Sequence, residues 1–162
     1  MKNFLIAAVV MTGLSACEGP PGKDGRDGRD GLVSTWHNIT FTVHRDDWQL
    51  VGGENQIGSY YWSLWDDVPQ LTDAIYREGA VICYYEFADD QGEKVLTTLP
   101  YTYYDMDIVE EEGGKETEYP FSVHYSYDVT PGSIAFKLTF SDFYTGAFRP
   151  PPECTFKLVL VY

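Results

Sequence analysis

Residues 121–128 alternate without a break, with Phe121, Val123, Tyr125 and Tyr127 on one side and Ser122, His124, Ser126 and Asp128 on the other. A period of two puts successive side chains on opposite faces of an extended chain, so this stretch is a strand with one face dry and one wet. The end of the chain repeats the pattern: Cys154, Phe156, Leu158 and Leu160 share a face against Thr155 and Lys157. Further extended segments are predicted at 36–43, 58–65, 80–87, 94–98, 101–108 and 134–140, the last with Ala135, Lys137 and Thr139 facing out. In 58–65 both faces are largely apolar, Tyr60, Trp62 and Leu64 against Tyr61, Ser63 and Trp65. Such a strand is central in a sandwich or exposes aromatics on one side. Asp89-Asp90-Gln91-Gly92 and Pro131-Gly132 are turns, and 110–116 reads as an acidic hairpin tip around Gly113-Gly114. Thr72 before Asp73 and Gly79 after Glu78 bracket one short helix. The fold class predicted is all-β: an antiparallel β-sandwich, immunoglobulin-like or jelly-roll-like, of about seven to nine strands.

The first residues are organised differently. Lys2, an apolar run over 4–11 and small residues up to Ala16 have the layout of an export signal. The run falls short of the roughly 18 apolar residues that would span a bilayer. Leu14, Ser15, Ala16 and Cys17 resemble the lipobox of bacterial lipoproteins at all four positions. That resemblance implies a diacylglyceryl group on the Cys17 thiol, cleavage just before it and acylation of the new amino terminus. The alternative is an ordinary secretory signal with a coincidental cysteine.

Glycines 19, 22, 25, 28 and 31 then enclose Pro20-Pro21, Lys23-Asp24, Arg26-Asp27 and Arg29-Asp30. This run resembles collagen, in which only glycine fits the axis of three wound chains. With few triplets and a single proline pair, it is either a solvated spacer or a trimerising stalk. A monomer is expected, with trimerisation through this run as the alternative. At about 3.1 Å per residue, residues 18–31 would hold the β-domain roughly 40 Å off a membrane. The predicted organisation is a signal peptide at 1–16, a lipidated cysteine and collagen-like linker at 17–31, and a β-sandwich domain at 32–162.

Lipobox, collagen-like linker and aromatic β-domain together resemble a lipoprotein family of the Bacteroides group of Gram-negative bacteria. Within the domain the likeness rests on 80–87 after the turn ending in Gly79, on Leu99-Pro100-Tyr101 and on the closing strand 156–161. The resemblance implies lipid anchoring in the outer membrane, exposed at the cell surface, and it implies no reaction.

The domain carries seven Lys and Arg against 21 Asp and Glu. A surface so negative repels phosphate backbones, which excludes nucleic acid as a partner. Chemistry is sparsely signalled. His37, His44 and His124 lack metal-binding spacing, no G-x-S-x-G elbow occurs, and there is no C-x-x-C. No metal or cofactor is expected. Asp105 and Asp107 would share a strand face about 7 Å apart, a remote glycosidase-like alternative to a domain otherwise read as no enzyme. Cys83 and Cys154 remain after lipidation, either joined in a disulfide or free and buried.

The aromatics carry the functional expectation: 26 Phe, Trp and Tyr in 162 residues. Rings with a polar handle stack on sugars or anchor interfaces, although core filling is the competing use. Tyr61, Trp62, Trp65, Tyr103 and Tyr104 are the candidate ligand contacts. The expected function is a lipid-anchored module of the cell envelope recognising a glycan or host protein through exposed aromatics. The alternative is a structural or assembly lipoprotein that docks another envelope protein or self-associates.

Overall fold

A computed structural model describes residues 35–111 and 113–162. The predicted signal, lipobox and collagen-like linker therefore lie outside the described residues. The described chain is an antiparallel β-sandwich of nine strands: β1 Trp36–Val43, β2 Gln49–Val51, β3 Tyr60–Trp65, β4 Ala80–Ala88, β5 Lys94–Thr98, β6 Tyr101–Glu111, β7 Lys115–Thr130, β8 Ser133–Phe140 and β9 Cys154–Val161. One sheet has the order β1-β9-β4-β5 and the other β2-β3-β8-β7-β6. The first and last strands are thus neighbours, an order that differs from the immunoglobulin arrangement, where the first strand pairs with the second.

The alternation seen in sequence sets which side chains meet between the layers. Phe156 of β9 lies under Phe136 of β8 with ring centroids 4.2 Å apart and planes 9° from parallel. Phe41 of β1 packs edge-on against both Phe136 and Trp65. Leu138, Leu158, Leu160, Ile134 and Val43 complete a fully buried centre. Ala135, predicted to face out, does lie on the outer side of its sheet, yet Leu64 and Asp128 beside it in register leave it buried.

Both ends of the sandwich are closed. The single α-helix among the described residues, α1 Asp73–Glu78, is started by Thr72, whose hydroxyl accepts from the Ile75 N–H at 3.2 Å. Val68, Leu71 and Ile75 from this segment are buried, and Val68 and Leu71 are bonded through their backbones to Gly132 at the β7–β8 turn. Gly79 ends α1 in extended backbone, with φ −96°. Its glycine answers to space: a Cβ there would collide with the Val161 carbonyl oxygen. At the opposite end, residues 141–153 are held by reciprocal bonds between Asn55 and Thr145, and by Trp48 Nε1 donating to the Pro152 carbonyl at 3.0 Å.

The acidic segment 110–116 is the tip of the β6–β7 hairpin, as expected, with the paired strands running close to its turn. β6 runs to Glu111 and β7 starts at Lys115, and only the turn at Gly113 and Gly114, with φ 103° and 77°, needs glycine's freedom. From Asp105 to Pro120 the paired strands leave the sandwich as a two-stranded arm. Of its described residues only Asp107 and Thr117 are even half-buried.

The disulfide considered for Cys83 and Cys154 is absent: both thiols are free and buried. Register explains why. Cys83 sits opposite Leu158, and Cys154 lies four residues further along β9, about 13 Å away by strand rise. A bridge needs Cα atoms within about 7 Å.

Candidate functional site

On the side where β5 and β6 form the edges of their sheets, the two layers part. Inward-facing residues of β4 that lie beyond the shelter of the core, Tyr85 and Phe87, meet inward-facing residues of β6, Tyr101 and Tyr103, across an open groove of about 460 Å³. All four rings are half-buried. Tyr85 lies 5.7 Å from Phe87 and 6.1 Å from Tyr101, Phe87 lies 6.1 Å from Tyr101, and Tyr101 lies 5.9 Å from Tyr103. Their planes are within 30° of parallel in every one of these pairs. The rings therefore offer an approaching molecule one common orientation.

The rim is the β4–β5 turn. Asp89 Oδ1 accepts from the N–H groups of Gln91 and Glu93, both at 2.9 Å, so this carboxylate holds the turn together. Asp90 next to it lines the groove and is exposed. The inner wall is polar in a different way. Tyr125 of β7 stacks on Tyr85 at 4.7 Å, and its hydroxyl oxygen accepts from the Cys154 thiol at 3.6 Å. Burial raises the Tyr85 hydroxyl to about 12, against a smaller opposing hydrogen bond with the Tyr125 hydroxyl. Burial likewise raises Tyr103 and Tyr125. These phenols are neutral at physiological pH and work as hydrogen-bonding groups, not as anions or bases. The thiols follow the same rule: desolvation pushes Cys154 up to about 11 and Cys83 up to about 12, so neither is a thiolate nucleophile.

Tyr103 also lines a second, smaller cavity of about 240 Å³ that continues past Asp105 and Asp107 to Arg149. The alternation is as expected there, with Asp105 and Asp107 on one face, but the two carboxylates are already engaged. Asp107 is paired with Arg149, which also takes Asp142 at 2.7 Å, and Asp105 accepts from the Met106 N–H at 2.8 Å. The Arg149 guanidinium lies 3.5 Å above the centre of the Phe121 ring. Among the described residues no group of three His, Cys, Asp or Glu is placed to hold a metal ion. His44 bonds Glu153, His124 bonds Thr102, and His37 lies elsewhere on β1.

Of the five aromatics singled out in the sequence, only Tyr103 is in the groove. Tyr61 is 4% exposed, and its hydroxyl accepts from the Gly146 N–H at 2.6 Å and donates to the Arg149 carbonyl at 3.0 Å, so it is a core clamp that no ligand can reach. Trp65 shares that inner face and packs on the core edge-to-face with Phe41. Trp62 and Tyr104 do face outward. Trp62 borders a shallow hollow with Leu64 and Ala135, while Tyr104 stands on β6 beside Ser122. Three strands and four residues of register separate them, on the order of 20 Å. The groove residues outside that set, Tyr85, Phe87 and Tyr101, carried a signal: two aromatics at a spacing of two on each of two strands with only β5 between them in sequence. No protein-family model matches the chain, and neither does any curated protein or solved structure.

Proposed function

We propose that this is a lipid-anchored binding module of the outer cell envelope, and that the groove between β4 and β6 takes a neutral glycan. The observation that carries this reading is the set of four half-buried, near-parallel rings lining one open groove. Flat apolar faces stack on the C–H faces of sugar rings, while the phenol hydroxyls and Asp90 supply hydrogen bonds to sugar hydroxyls. A concave site of a few hundred Å³ suits a small ligand, whereas a protein partner needs about 800 Å² of each surface. The charge of the domain disfavours sulfated, sialylated or uronic-acid polymers. The lipobox-like Leu14-Ser15-Ala16-Cys17 and the collagen-like glycine phase after it support display at the end of a membrane tether.

The test is a panel of neutral and anionic glycans offered to the full-length protein in detergent, with Phe87→Ala, Tyr101→Ala and Trp62→Ala alongside and folding checked by circular dichroism. Specific binding of a neutral glycan should weaken about tenfold or more in the first two variants and persist in Trp62→Ala. Binding confined to anionic glycans, or lost only with Trp62, contradicts the assignment.

A further inference from the structure

A different surface points to a protein partner. β6 pairs only with β7 among the described residues, so the other side of an 11-residue strand is an unpaired edge. Most of that edge belongs to the arm that leaves the sandwich. On its outer face Tyr104, Met106 and Ile108 follow one another at a spacing of two, exposed by 85%, 45% and 60%. An isolated two-stranded ribbon is marginally stable, and a third strand across its free side would bury this apolar row and satisfy the open backbone groups.

Charge decides what kind of strand fits. Residues 105–120 hold seven carboxylates and one cation, Lys115. A second copy of β6 laid antiparallel and centred on Met106 would set Asp105 directly against Asp107, and like charges opposite one another destabilise a ladder. Self-pairing is therefore disfavoured, whereas cationic side chains on the inner face of an added strand would meet Asp105 and, near the tip, Glu111. We infer that the β6 edge docks an extended segment of a partner protein by strand addition, the segment alternating apolar residues over Tyr104, Met106 and Ile108 with lysines or arginines. This surface shares β6 with the aromatic groove but lies mostly beyond Tyr101 and Tyr103, and it gives the module a second, protein-directed contact.

The experiment uses the full-length protein in detergent and a fluorescent nine-residue peptide of alternating valine and lysine, with two controls: the same composition in a blocked order, and valine alternating with glutamate. Anisotropy gives affinity, amide hydrogen exchange gives location, and sedimentation gives oligomeric state. The alternating cationic peptide should bind about tenfold or more tightly than either control and slow exchange across 101–111. The pair Met106→Lys and Ile108→Lys, exposed and outside the groove, should weaken it by a similar factor. Equal binding of the blocked peptide would mean charge attraction alone and overturn the proposal. Protection mapping elsewhere would overturn it too, as would a dimer formed through the arm.

Discussion

Tyr61 illustrates how a side chain is assigned by what it touches. In sequence it belongs to the densest run of aromatics, and strand alternation places it on one of two equally apolar faces. In the fold it is the face that points inward, and the hydroxyl is spent on the Gly146 N–H and the Arg149 carbonyl, tying the 141–153 loop to the core. Tyr61→Phe keeps the ring and orphans both backbone groups, so it should destabilise by about 1–3 kcal/mol in urea unfolding. His44 is the opposite case, an exposed residue whose pKa is raised above 6.5, chiefly by its hydrogen bond to Glu153 and then by that carboxylate's charge. A raised folded-state pKa means that the contact contributes fully below 6.5 and fades as pH climbs through the folded-state value. An NMR titration should place the His44 midpoint above 6.5, and Glu153→Gln should bring it back down. Neither residue's role was legible in sequence, because each depends on a partner more than 80 residues away.

At the scale of elements, the periodicity was a reliable guide to strands and a poor one to what lies between them. β1 and β5 have the predicted bounds, and Thr72 caps α1 as expected. β2 escaped notice because three residues, Gln49–Val51, carry too little alternation to register. Arg149 organises loop 141–153: one guanidinium joins Asp107 of β6 and Asp142 while covering Phe121. The pairing is partly shielded, with Arg149 11% exposed and its acidic partners 32% and 26%. Arg149→Ala would leave two carboxylates beside an uncovered aromatic ring. A loss of about 2–3 kcal/mol is expected after allowance for solvent screening, with exchange of the 141–153 amides rising first. An unchanged unfolding midpoint would show that the loop is held by Tyr61, Trp48 and Thr145 alone.

For the whole molecule, the sandwich was legible and its open side was not. Alternation states which residues of a strand face inward, but it does not say where the layers part, and that depends on which strands end up as edges. Tyr85, Phe87, Tyr101 and Tyr103 are inward-facing residues by period, and of the four only Tyr103 stands among the ligand contacts named from sequence. They become a surface because, among the described residues, no further strand covers the side of the fold edged by β5 and β6. Of the rings nominated in sequence, Tyr61 and Trp65 face the core, Trp62 and Tyr104 face outward, and only Tyr103 lines the groove. The measurement that tests the account most directly is residue-resolved NMR of the protein titrated with a neutral oligosaccharide from the glycan panel. The account predicts ring and backbone shifts gathered at Tyr85, Phe87, Tyr101 and Tyr103, with Trp62 and Tyr104 unmoved. Shifts centred on Trp62, or none at any of the four groove rings, would contradict it.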